Sequence, residues 1–293
     1  MSGDPGKSGR SSTSAAPTPW LAGPFGPAWR NRSLVRILVW SEVKANYRRA
    51  TLGLFWLILF PLFYVVVFVA VRLLLFDRSA SSPDWEGARL GINDVSMIGL
   101  MIFVGFVVFW SATEMLTRGA SAVTRHSSYV SDSVFPVEVL PWVVIGAAVF
   151  NLAVRTVLFL VAYLIIVQVA HPTMLLLPIV VAPLMLIMIG LTYFLAAIGP
   201  YFRDLEYIIS ALSTALLLLS AVIFPLSEVP QSYQPFVIYN PIAMTIEQAR
   251  LIMVLGRLPD WNYLAAAGLI GLGLAWAGFA FFRLRKRNFA DVL

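Results

Sequence analysis

Long apolar runs alternate with short polar ones along most of the chain. After a start rich in Ser, Pro and Gly, predominantly apolar stretches occupy 52–76, 95–116, 139–169, 174–200, 208–226 and 263–282. A helix needs roughly 20 such residues to cross a bilayer, so the pattern predicts an all-α integral membrane protein with six transmembrane helices. Pro61 lies inside the first stretch, and Arg72 lies near its far end, where a long side chain snorkels to the interface. The third and fourth stretches are parted only by the His171-Pro172 turn, the fourth and fifth by the polar run 201–206. Six crossings leave both termini on one side.

The polar segments between these runs differ in kind. Residues 1–30 have no apolar core and are expected to be a disordered cytoplasmic tail with no signal peptide. Residues 31–50 carry Arg32, Arg36, Lys44, Arg48 and Arg49, with Leu34, Ile37, Leu38 and Ala45 on one side of a 3.6-residue helix. That is the signature of a basic amphipathic helix lying on the membrane surface. Val35, Val39 and Val43 fall on its other side, where they are expected to pack on a partner.

Residues 118–134 form the first long polar interruption between spans. Their composition suits a helix from Gly119 to Tyr129, and Arg125, His126 and Asp132 supply ionisable groups. This is either a solvated connector or a short helix that docks on another subunit. Residues 224–262 hold five prolines yet include the apolar runs 236–239 and 242–255. Too interrupted to span twice, they form either re-entrant helices shielded by protein or a loop resting on the outer surface. The helical periodicity of 244–255 favours re-entrant helices.

Composition sharpens the picture. The chain is 59% hydrophobic and 12% charged, half the charged fraction of about 25% found in soluble domains. With no cysteine and only two histidines, disulfides, thiolate chemistry and histidine-built metal sites drop out or become remote. The net charge of +6 raises the question of nucleic acid, but its placement answers otherwise. Of the 21 basic residues, eight precede the first span, two lie within 117–138, one is Arg203 and four follow the sixth span. All of these share one face, which is therefore cytoplasmic.

No phosphate-binding GxxxxGK[ST] loop, serine-nucleophile motif or metal-ligand spacing is present. Asp204 and Glu206 sit at a helix start, where a structural role fits. Arg155 is the only deep charge, joined by Glu114 at the inner end of the second span, with Asn151 four residues before it. This is fewer buried carboxylates than an ion-driven carrier would be expected to have. Aromatics are abundant at 13%. Trp56, Phe60, Phe63 and Tyr64 recur on the first span, and Phe103, Phe106 and Trp110 on the second. Such stripes serve packing and interfacial anchoring, or else form a belt on which sugar rings stack while a glycan slides.

Four stretches carry a family resemblance. The first is Trp40-Ser-Glu-Val-Lys-Ala-Asn-Tyr-Arg-Arg-Ala-Thr-Leu-Gly-Leu-Phe-Trp56, followed by Phe60-Pro61, with Phe60 where Asn is common. The second runs from Arg118-Gly-Ala-Ser to Phe135-Pro-Val-Glu-Val-Leu-Pro141. The third is Tyr201-Phe-Arg-Asp204, and the fourth joins Asn240-Pro241 and Arg250 to the closing run from Phe282 to Leu293. In this order they resemble the six-span type-two permeases of ABC exporters, in the branch exporting polysaccharides, O antigens and teichoic acids.

The resemblance implies a homodimeric channel in the bacterial inner membrane, powered by two cytoplasmic ATPase subunits that bind ATP and Mg. The chain itself would hold no cofactor and catalyse nothing. Segment 31–49 resembles the interface helix and 118–134 the coupling helix, assigning Arg118, Arg125, His126 and Asp132 to the ATPase contact. Segment 224–262 resembles re-entrant helices at an outer gate, with Asn240, Pro241 and Arg250. The substrate would be a lipid-linked polysaccharide, and Lys44, Arg48 and Arg49 would meet its diphosphate or anchor to anionic lipid. Alternatives are an exporter of drugs or small lipids, and, from another class, an ion-coupled flippase or membrane scaffold.

Overall fold

The structure, a computed structural model, describes residues 23–48, 55–75, 94–130, 135–202, 204–223, 226, 231–232, 234–286 and 289. All regular structure among these residues is helical. The helices are α1 (Gly26–Arg30), α2 (Arg32–Arg48), α3 (Trp56–Leu75), α4 (Asp94–Ala120), α5 (Ser127–Val130) and α6 (Leu140–Val167). They continue with α7 (Leu177–Ile198), α8 (Leu205–Leu219), α9 (Gln234–Ile238), α10 (Pro241–Met253) and α11 (Trp261–Arg285). Among the described residues four segments are long and apolar enough to cross a membrane: Val95–Ala120, Val137–Val167, Pro172–Ile198 and Trp261–Arg285. Within α3 and α8 the apolar stretches are the shorter Ile58–Val71 and Leu205–Leu219.

The fifth predicted span, 208–226, is thus shifted and shortened. Asp204 stands before α8 and Glu206 in its first turn, where acidic groups favour a helix start. At the other end the chain turns after Leu219, with Ala221 in the left-handed region at φ 51°. A 15-residue helix rises only about 22 Å.

α4 is the hub, touching α3, α6, α7, α8 and α10. Its residues Ile102, Phe103, Val104, Phe106, Val107, Val108 and Phe109 are all buried, as expected of a helix that is apolar all round. α7 and α11 approach most closely. A Cβ on Gly278 would lie 2.1 Å from the Gly190 carbonyl oxygen, and one on Gly190 would lie 2.4 Å from that of Leu274. Small residues of this kind let membrane helices pack backbone to backbone. α11 is capped by Asp260, whose side chain accepts the backbone N–H of Asn262 at 3.0 Å and of Tyr263 at 3.2 Å.

The partner that Val39 and Val43 pack on is α6: Val43 is buried, and Val39 Cγ2 lies 2.5 Å from where a Gly146 Cβ would stand. Trp40 meets Phe150 edge-on at 6.1 Å, so this face of α2 packs on α6. Residues 26–30, at the end of the segment expected to be a tail, form α1. α1 forms there because Trp142 Nε1 donates to the Pro24 carbonyl at 2.9 Å and Phe25 packs on the Trp142 ring at 5.7 Å.

Candidate functional site

The segment after α4 is a knuckle rather than one helix. α4 runs to Ala120, a turn follows, a 3-10 turn covers Thr124–His126, and α5 closes it. Its base is fixed: Ala120, Ala122 and Val123 are buried, and Gly199 is pressed on Ala120, whose carbonyl oxygen would lie 2.0 Å from a Cβ there. Arg125 and His126 stand on this base. Arg125 forms an ion pair with Glu206 at the start of α8, with side chains 47% and 38% exposed. His126 Nδ1 lies 3.0 Å from the Ala122 carbonyl oxygen. Its ring stacks over Tyr129, which stacks on Phe135 at 4.9 Å. Asp132 lies outside the described residues.

Arg118 points elsewhere. It pairs with Glu114 one turn back at 3.1 Å and reaches Glu42 of α2 at 3.7 Å. The Glu114 carboxylate also accepts from Asn151 Nδ2 at 2.6 Å and from Arg155 Nη2 at 3.2 Å, both on α6. An ionic chain therefore runs Glu42–Arg118–Glu114–Arg155 across α2, α4 and α6. Arg155 has no acid on its own helix face, and its acid comes from α4. Glu114 and Arg155 are 9% and 13% exposed, and the Arg155 guanidinium lies over the Trp110 ring at 5.6 Å. Arg155 Nη1 and Asn151 Oδ1 are buried with no hydrogen-bond partner among the described residues.

The aromatic stripes divide. Tyr64 meets Trp110 edge-on at 5.3 Å, and Trp110 stacks on Phe106 at 4.6 Å. Trp56 and Phe60 lie 4.7 Å apart. Phe60, Phe63 and Tyr64 on α3 are exposed, whereas Phe103 and Phe106 on α4 are 3% and 1% exposed. Phe103 turns to α6, packing on Phe159 at 5.6 Å. Lys44 lies over the Trp40 ring at 5.1 Å. Arg49 and the side chain of Arg48 lie outside the described residues.

At the opposite end of the helices, α10 is clasped by two of the predicted residues. Asn240 caps it, accepting the Ile242 N–H at 3.0 Å, and donates to the Leu219 carbonyl and the Ser220 hydroxyl, each at 3.2 Å. Pro241 occupies its first position, where no N–H is needed. Arg250, 2% exposed, donates to the carbonyls of Met101 at 3.2 Å and Val222 at 2.6 Å and pairs with Glu247 at 3.4 Å. Gly105 leaves room for this, since a Cβ there would come within 2.9 Å of the Val222 oxygen.

Reading the sequence missed several partners. Glu206 is 81 residues from Arg125. Glu138, which holds Lys286 at 2.6 Å and Arg283 at 3.7 Å, ties the start of α6 to the end of α11. No periodicity links such pairs. Among the described residues no group of three or more His, Cys, Asp or Glu is placed to hold a metal ion.

The chain matches the ABC-2 type transporter family over residues 33–254. It is 29% identical to the O-antigen export system permease protein RfbA of Myxococcus xanthus, over 90% of this chain and 96% of that protein. It is 20% identical to the polysialic acid transport protein KpsM of Escherichia coli, over 86% of this chain and 93% of that protein. The RfbA permease of Klebsiella pneumoniae is likewise 20% identical, over 89% and 95%.

Proposed function

We propose that this chain, which belongs to the ABC-2 type transporter family, is the permease subunit of an ATP-driven exporter of lipid-linked polysaccharide. The observation that carries this reading is its near end-to-end similarity to permeases named for O-antigen and polysialic acid export. Two copies would form the pathway, with two ATPase subunits below them binding ATP and Mg. Six crossings would be made by α3, α4, α6, α7, α8 and α11, in the bacterial inner membrane with both termini in the cytoplasm. α10, at 13 residues, rises about 20 Å and would enter the outer leaflet and return. α8 buries none of its residues fully within the chain, leaving a face for a second copy.

The Arg125 knuckle supplies the coupling. It stands on a rigid base, exposes a cation and an aromatic stack, and is linked to α8 through Glu206. A push from the ATPase would reach α4 directly and α8 through that ion pair. α2, joined to α4 by Glu42–Arg118, would move with them. The exposed rings of α3 are those available to a passing glycan, while Phe103 and Phe106 would shape α4 from within. The Glu114 carboxylate accepts three donors, which ties it to holding the helices rather than carrying a cation and favours this reading over an ion-coupled flippase.

Co-purification tests the proposal. Tagged chain co-expressed with the ATPase encoded nearest to it should elute with that ATPase in equal amounts, and Arg125→Glu should weaken the association. Elution of the permease alone with every candidate ATPase would overturn the reading.

A further inference from the structure

We propose that the cleft between α2 and α6 binds one anionic phospholipid of the cytoplasmic leaflet, its phosphate on Arg32 and Arg36 and an acyl chain against Val39, Trp40 and Phe150. The inference rests on the exporter reading above together with α2 lying at the cytoplasmic membrane surface, as its basic amphipathic sequence predicts. The cleft is an open groove of about 600 Å³, within the roughly 300–1,000 Å³ of small-molecule sites. Its walls are apolar side chains of α1, α2 and α6, and among the described residues its only charged lining residues are Arg32 and Arg36. These two stand one turn apart on one face of α2, both exposed, and neither makes an ion pair among the described residues.

The chemistry of the cleft selects the occupant. Arg32 and Arg36 line the cleft with their alkyl stems and leave their guanidinium forks, which match phosphate oxygens, at its edge, while the wall within offers nothing to a polar group. An amphiphile with an anionic head and an apolar chain satisfies both in one molecule. The exposed indoles of Trp29 and Trp40 beside the cleft suit headgroup depth. Val39 against Gly146 and buried Val43 fix α2 to α6 at the back of the cleft. A molecule seated there therefore staples α2 in place rather than passing through. This identifies a resident phospholipid, distinct from the exported glycolipid.

The full-length chain, purified in detergent and stripped of lipid, is titrated with dioleoyl phosphatidylglycerol and separately with dioleoyl phosphatidylcholine while thermal unfolding is followed. Phosphatidylglycerol should raise the unfolding temperature saturably and phosphatidylcholine much less. The Arg32→Gln/Arg36→Gln variant should need roughly tenfold more phosphatidylglycerol. Ala28→Phe, which fills the cleft and keeps both arginines, should remove the response while eluting as the native chain does. Equal responses to the two lipids, or an unchanged midpoint in the double glutamine variant, would overturn the proposal. So would a stronger response to undecaprenyl diphosphate, which would hand the cleft to the exported lipid. The assay contains no ATPase, so its failure is separate from failure of the exporter reading, which co-purification decides.

Discussion

Glu114 on α4 and Arg155 on α6 pair at 3.2 Å across 41 residues of sequence. Each is nearly buried; Glu114 also holds Asn151 and Arg118, and Arg155 lies over the Trp110 ring, so the pair locks the two helices together. Removing one partner strands the other, a loss of about 3–5 kcal/mol where a pair is buried. Glu114→Ala should therefore lower thermal stability of the purified chain sharply, and the exchange Glu114→Arg/Arg155→Glu should recover part of it. If Glu114→Ala and the exchange are both as stable as the native chain, the pair is not a lock.

The α7–α11 contact predicts a contrast among glycines. Gly190→Ala or Gly278→Ala drives a methyl into backbone oxygen and should cost about 1–3 kcal/mol. Gly268→Ala and Gly273→Ala meet nothing within 4 Å and should be neutral or gain up to about 1 kcal/mol from helix propensity. Unfolding temperatures of the four variants in one detergent check the ordering.

Arg250 holds α10 through two carbonyls contributed by α4 and by the turn after α8. Arg250→Met leaves the Val222 carbonyl buried without a donor, at about 1–3 kcal/mol, while the Met101 carbonyl keeps its bond within α4. Arg250→Lys, a point donor without the fork, should restore little. A midpoint within error of the native chain for either variant would contradict the clasp.

The Arg125–Glu206 pair behaves oppositely. It is well exposed, so its contribution to stability is about 0–1 kcal/mol, and Arg125→Glu should unfold as the native chain does. Its effect should appear in the ATPase complex. The exchange Arg125→Glu/Glu206→Arg separates two roles, because it restores the internal pair but not a contact from Arg125 to the ATPase. Recovery of coupled ATP hydrolysis in the exchange would make the pair an internal link. Continued loss would place Arg125 against the ATPase.

Much of the helix layout was legible in the apolar runs, because backbone groups in lipid must be satisfied within a helix and length then decides. Orientation was less legible. Phe103 and Phe106 share their spacing with Trp110, yet two are buried and one only half-buried, because lipid and protein interior are equally apolar and periodicity cannot tell them apart. On α2 the valine face was legible as a packing face but its partner was not, because nothing in the pattern pairs Val39 with Gly146 of α6. Resemblance singles out Asn240 and Arg250 only as motif positions, and their contacts, with the turn after α8 and with α4, required the folded chain. Glu206 had no signal at all beyond being acidic at a helix start.

The most direct test is transport itself. The chain and its ATPase are reconstituted in proteoliposomes with a lipid-linked polysaccharide on the ATPase side, and glycan reaching the opposite side is measured with and without ATP. The account predicts ATP-dependent appearance of glycan, lost when the permease is omitted. Glycan crossing equally without ATP, or none crossing while a drug or small lipid does, would contradict it.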